Sequence, residues 1–345
     1  MRRRWGWTAR SGDSSVNPTW DVLGLGAVAV DDMVYVDGYP PPNTKVPIID
    51  ERREGGGLAG TALVTVARLG GSAAYLGVLG DDVLSRFAIA ELERAGVDCS
   101  GVRRQPDARP IHSVIIVDRR TGQRTLYYSM AGVCNPNVAD ITPDVIGACR
   151  VLLVDSSVAI PALHAVDLAR QAGLPVVADL EHSDGEGISE LVRRVDHLIV
   201  GLDFAREMTG ASSPEDLVRG LWRPSHTACV VTAGDLGSWY LARETGSHIQ
   251  RCPAWPVQVV DTNGCGDVFH GAYAARIARG DSVARAISIA TVAAALKATK
   301  PGGRQGIPDW PTLSRLMEPS GLGETLGASG ADGTQPDPAT IGLHA

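Results

Sequence analysis

Aromatic residues are scarce in this 345-residue chain: three Phe, seven Tyr and seven Trp, 5% of the whole. A core must therefore be filled by aliphatic and small residues, and a hydrophobic fraction of 44% is ample for that. Long apolar runs are missing too, and none reaches the ~20 residues that a membrane-spanning helix needs. The six cysteines, Cys99, Cys134, Cys149, Cys229, Cys252 and Cys265, show no C-x-x-C spacing. Neither a zinc site nor a disulfide framework is indicated, and a reducing cytoplasm is the expected compartment. Basic charge is in deficit, 32 Lys and Arg against 39 Asp and Glu, and no basic stripe stands out. Nucleic acid is therefore not expected as a partner. The start, Met1 to Trp7, is basic but lacks an apolar h-region, so it fits neither a secretion nor a twin-arginine signal. His112, His182 and His270 lie in no metal-ligand spacing and read as polar packing or surface residues. No internal repeat is visible.

What the chain does have is a glycine turn between two patterned runs. Val259-Val260 ends an apolar, β-branched run that reads as the end of a buried strand. Gly271 to Arg279 is small-residue and amphipathic and reads as a helix. Between them lie Gly264, Cys265 and Gly266, then Asp267. A glycine turn opening a helix presents backbone N–H groups with no side chain in the way, and the helix N-terminus adds positive potential. Asp267 then sits beside the bound anion. Phosphate would repel a carboxylate there, so a base for a hydroxyl nucleophile suits the position better than a passive cap.

The rest of the pattern is α/β. Residues 1–19 read as a loose extension, and residues 319–345, rich in Gly, Ser, Thr, Pro and Asp, as a disordered tail. The strand Asp21 to Val30 ends in Asp31-Asp32, which on residues alone is equally a ligand contact or a solvated strand end. Gly55-Gly56-Gly57 precedes a helical run to Leu69, and glycines there permit close approach of backbone to a ligand. Asp81 or Asp82 reads as a helix cap. Ile111 to Val117 and Thr125 to Ser129 read as a hairpin carrying Arg124, which is either a solvated arginine or an anion contact. From Val151 onward short apolar runs alternate with helical ones, at Val151 to Asp155, Val176 to Asp179, His197 to Val200 and Ala228 to Thr232. That rhythm implies a doubly wound, mainly parallel sheet. Thr232-Ala233-Gly234-Asp235-Leu236-Gly237 is either a plain β-turn or a nucleotide contact.

The stretch Asp261 to Asp267 resembles the D-T-x-G-A-G-D signature of the ribokinase-like (PfkB) carbohydrate kinases, with Cys265 in place of alanine. The resemblance covers roughly residues 21 to 315 and is closest to ketohexokinase- and fructokinase-type members. It implies a kinase domain over residues 20–318, with a small β lid from about 33–54 and 109–130. It implies transfer of the γ-phosphoryl group of ATP to a sugar hydroxyl, with Asp267 as base and the N–H groups of Gly264, Cys265 and Gly266 on the phosphoryl. Asp31, Gly56, Gly57 and Thr61 fall on the sugar positions. Thr61 stands where the family has asparagine, and Leu58 where ketohexokinases carry another. Plain fructose is therefore expected to be a poor substrate, and Arg124 to meet an acidic group on a better one. Thr232, Gly234, Gly237 and Gly303 fall on ATP positions. Mg2+ is implied with the nucleotide, and a monovalent cation such as K+ near Asp261 and Asn263. The family's N-x-x-E, which arranges magnesium and phosphates, is replaced by Gly201 and Phe204. A homodimer through the lid is a further expectation. A nucleoside kinase of the same fold, or a binding member without catalysis, remains open at this stage.

Overall fold

The computed structural model describes residues 18–121 and 123–317. The expected tail lies outside them, as does the expected N-terminal extension except residues 18 and 19. In chain order the first half contains β1 (Trp20–Leu25), β2 (Ala29–Val36), β3 (Asp50–Gly56), α1 (Leu58–Arg68), β4 (Ala73–Leu76), β5 (Val78–Leu79) and α2 (Val83–Arg94). Then come β6 (Val97–Asp98), β7 (Arg103–Arg104), β8 (Ile111–Asp118), β9 (Arg124–Ser129) and α3 (Pro143–Gly147). The second half runs β10 (Cys149–Asp155), α4 (Ala159–Gln171), β11 (Val176–Leu180), α5 (Ile188–Arg194), β12 (His197–Gly201), α6 (Leu202–Thr209) and α7 (Pro214–Leu221). It ends with β13 (Ala228–Thr232), β14 (Ser238–Ala242), β15 (Gln250–Cys252), α8 (Cys265–Ala278), α9 (Val283–Ala298) and α10 (Trp310–Met317).

Nine strands form the main sheet in the order β15-β14-β13-β12-β11-β10-β1-β4-β6. The strands from β13 to β6 in that order pair in parallel, and β14 and β15 add an antiparallel edge. The apolar runs of β10, β11, β12 and β13 are buried along nearly their whole length. This is what helices on both faces of a parallel sheet require. One face packs on α1, α2, α8 and α9, the other on α3 to α7. Helix starts follow local chemistry: Asp82 accepts from Ser85 N–H, Ser213 precedes Pro214, and Ser282 accepts from Arg285 N–H. Among the described residues no helix is long and apolar enough to cross a membrane.

A second sheet has four strands in the order β3-β2-β8-β9 and is built from the residues for which a lid was expected. The chain reverses winding about β1, which has β4 on one side and β10 on the other. A crevice at the carboxyl ends of the strands beside such a switch is the natural place for ligands. One expectation fails here. Val259 and Val260 end no strand; they are 57% and 60% exposed. Pro253 and Pro256 interrupt the run after β15, and residues 253–264 cross the site as irregular backbone held by Val260 and Asp261 N–H groups on Ala298 O.

Candidate active site

Five strand ends line up along the carboxyl edge of the sheet: those of β1, β10, β11, β12 and β13. They deliver Ala27, Asp155, Asp179, Gly201 and Thr232. Asp155 is fully buried and acts as a staple. Its Oδ2 accepts from Ala27 N–H at 2.7 Å and Ala59 N–H at 3.2 Å, while Oδ1 accepts from Ser157 N–H at 2.9 Å and from the Ser157 hydroxyl. The end of β1, the start of α1 and the end of β10 are thereby held together. A small cavity beside this staple is lined by Ala27, Val28, Tyr75, Arg109, Asn135 and Ser157.

Strand alternation separates the two acidic residues of β2. Asp32 faces Arg53 at 2.6 and 2.8 Å and His112 at 2.8 Å, a half-exposed network. Asp31 faces the other way, bonded to Ser113 and under the field of Arg304, and burial raises its carboxyl above the usual range. A Cβ on Gly56 would lie 2.3 Å from Asp31 Oδ2. Gly57 caps α1 with φ 87°, and a Cβ there would meet Ala27 O and Ala29 N within 2.7 Å. At both glycines the chain's own atoms leave no room for a side chain.

Thr61 is buried, and its hydroxyl accepts from Arg304 Nε at 3.1 Å. Arg304 also donates to Gly56 O at 2.8 Å. Sequence reasoning missed this arginine, which follows Gly303 and is 8% exposed. Burial pulls its pKa down to about 10, against the opposing pull of Asp31 and Asp267. It is a buried cation set between the two carboxylates that the sequence nominated.

Asp267 lies in the first turn of α8, whose N-cap Gly264 has φ 76°. A Cβ on Gly264 would come within 2.8 Å of Gly303 O, so this turn and the 302–304 turn fit only without one. Cys265 N–H donates to Thr262 O at 3.2 Å, whereas first-turn N–H groups such as that of Gly266 have no intrahelical acceptor. Gly266 is exposed, with nothing within 4 Å of its Cβ direction. Asp267 keeps partial exposure while protein packs closely around it. Burial, then Asp179 and Glu181, lift its carboxyl well above the usual carboxylate range; Arg304 pulls it down. Beneath it His270 bridges Gly266 O at 2.8 Å and Ile199 O at 3.0 Å, with Asp179 Oδ2 at 3.2 Å. Burial raises Asp179 and lowers His270. Both directions favour the uncharged forms.

Further along the edge, Thr232 donates to Val200 O at 3.3 Å, and Gly234 has φ 57° with open space beside it. Gly237 (φ 90°) closes that turn. Gly201 offers no side chain and Phe204 is buried, so the start of α6 supplies no oxygen ligand from those positions. Among the described residues no group of three or more His, Cys, Asp or Glu could cage a metal.

Arg124 Nη1 lies 3.0 Å from Asp261 Oδ1 and so pairs with a carboxylate of the chain itself. Gly303 likewise has a protein partner, its N–H donating to Glu54 Oε2 at 3.2 Å.

The pfkB family carbohydrate kinase profile matches residues 25–310. The chain belongs to the pfkB family of carbohydrate kinases. Fructokinase-1 of Oryza sativa subsp. japonica is 32% identical to this kinase over 295 residues, covering 76% of this chain and 88% of that one. The ribokinase of Staphylococcus aureus (strain COL) is 24% identical over 298 residues, covering 83% and 96%. The kinase also shares its fold with the Arabidopsis thaliana ribokinase solved with ribose and ATP, at a TM-score of 0.75 and 20% identity, covering 87% and 99%.

Proposed function

We propose that this kinase transfers the γ-phosphoryl group of ATP to a hydroxyl of a small sugar or sugar derivative, with Asp267 accepting the hydroxyl proton. The observation that carries the reading is the position of Asp267. It stands in the first turn of a 14-residue helix, after a glycine turn whose backbone borders open space, and close enough to Arg304 to feel its charge. The sugar lies between lid and sheet, against Asp31, Gly56 and Gly57. The nucleotide lies toward Thr232, Gly234 and Gly237, its phosphates leading to the α8 N-terminus. The first-turn N–H groups then face the charge that grows on the transferring phosphoryl, and the helix field favours it. Asp267, ionised, orients the hydroxyl and takes its proton. Magnesium would be carried chiefly by phosphate and water oxygens, since the side chains at Gly201 and Phe204 offer none; there it would neutralise phosphate charge. The fructokinase and ribokinase relatives support the sugar, and the complex of the Arabidopsis ribokinase supports ATP.

Asp267→Asn tests the base. Turnover should fall by ~10²- to 10⁴-fold while calorimetric affinities for sugar and nucleotide stay within a few-fold. A variant keeping more than about a tenth of the wild-type rate removes Asp267 from that role. An ADP-release assay over ketoses, pentoses, sugar acids and nucleosides identifies the acceptor.

A further inference from the structure

The loop that leads into the glycine turn, residues 259–264, belongs to no helix or strand, and four donors of the chain converge on one of its residues. Asp261 Oδ1 accepts from Asn263 N–H at 2.8 Å and from Arg124 at 3.0 Å; Oδ2 accepts from Gly302 N–H at 2.9 Å. The main-chain oxygen of Asp261 accepts from Lys297 Nζ at 2.8 Å. Lys297 has no exposed surface. Burying an ammonium ion is costly unless fixed oxygens replace its water. Three features of this place do so: the Asp261 carbonyl, the Asp261 carboxylate close by, and the carbonyl end of the 16-residue helix α9, whose field favours a cation. Burial pulls the lysine's pKa down, while Cys265 and Asp261 push it back up.

Family resemblance places a monovalent cation at Asp261 and Asn263. Carbonyl and carboxylate oxygens next to a helix C-terminus are the right donors for such an ion, but here the oxygens of Asp261 already hold two cationic side chains of the chain itself. We infer that the Lys297 ammonium is this kinase's own monovalent cation, tethered to α9, and that the enzyme turns over without potassium. Through Asp261 the lysine positions the turn that carries Gly264 to Asp267; it does not touch the reacting atoms. The inference rests on reading that turn as the phosphate site.

The test compares the full-length protein with Lys297→Ala, which leaves room for an ion, and Lys297→Met, which fills the room without charge. Rates and melting temperatures are measured in tetramethylammonium chloride and in KCl at equal ionic strength. Wild-type rate and melting temperature should be the same in both salts. Lys297→Ala should lose roughly tenfold or more in turnover in tetramethylammonium, the effect of one charged hydrogen bond. Potassium should restore its rate and raise its melting temperature, and should do neither for Lys297→Met. A wild-type rate or melting temperature that climbs with KCl overturns the inference, as does a Lys297→Met variant with full turnover in tetramethylammonium. The melting arm stands apart from catalysis: a wild type with no sugar-kinase rate would sink the functional reading and leave the salt comparison to decide this one. If neither variant folds, the two wild-type measurements decide.

Discussion

Arg304 makes two contacts that no local pattern announces: Gly56 O lies 248 positions away and Thr61 Oγ1 243. Gly264 and Asp267 stood out in the sequence because they open a helix within a short motif, whereas Asp31 does not end a strand running from Asp21: β1 stops at Leu25, and Asp31 and Asp32 lie within β2. Arg304, Asp155, Asp179 and Lys297 did not stand out, because their roles arise only when distant segments meet. The charge of Arg304 has a measurable consequence. Asp267 is held high by burial and by Asp179 and Glu181, and Arg304 opposes them. A general base works deprotonated, so kcat/KM climbs as pH rises through its pKa. Removing the cation in Arg304→Gln raises that pKa further, and the acid limb of the profile should move to higher pH. Glu181→Gln removes a neighbouring anion and should move the limb to lower pH. Limbs that stay fixed in both variants, or move in the opposite directions, would show that another group sets the profile.

At the scale of elements, the four-stranded sheet is tied down at two points. Arg124 at the start of β9 reaches Asp261, and Glu54 near the end of β3 accepts from Gly303 N–H at 3.2 Å and Gln305 Nε2 at 2.6 Å. Both ties end on the loops that flank the glycine turn, so the position of the small sheet and the shape of that turn are mechanically linked. Half-exposed pairs contribute only ~0.2–1 kcal/mol each. Arg124→Ala and Glu54→Gln should each raise the sugar KM up to about fivefold, and together the product of the two if the ties act independently. Steady-state titration with the identified sugar checks this; a double variant indistinguishable from wild type would show that neither tie holds the small sheet. The β8–β9 hairpin of the small sheet was readable from its β-rich runs and polar turn, whereas β3 was not, because its charged residues carry no apolar alternation. The Val259-Val260 segment was misread because a short apolar run looks the same whether it ends a strand or crosses a cleft, and only the surrounding burial distinguishes the two.

At the scale of the molecule, the face of the four-stranded sheet opposite Asp31 carries the cross-strand pair Val114 and Tyr127, 36% and 62% exposed. Apolar side chains contiguous on one sheet face mark an interaction surface. A second copy of the chain is the expected cover, so light scattering should give a dimer mass, and Val114→Arg with Tyr127→Asp should give a monomer with unchanged melting of the main sheet. A wild type that stays monomeric at assay concentration rules this out. The doubly wound sheet was readable from the alternation of apolar runs and helices, whereas its order could not be read, because parallel pairing leaves no mark on a single strand. The Asp155 staple and the Arg304 contacts also set an order in time. A chain emerging from the ribosome makes Ala27, Gly56 and Ala59 long before Asp155, and Arg304 comes later still. Contacts so distant along the chain close slowly. The sugar pocket is therefore among the last features to form during synthesis, and nascent chains halted short of Arg304 should be bound by chaperones rather than by substrate.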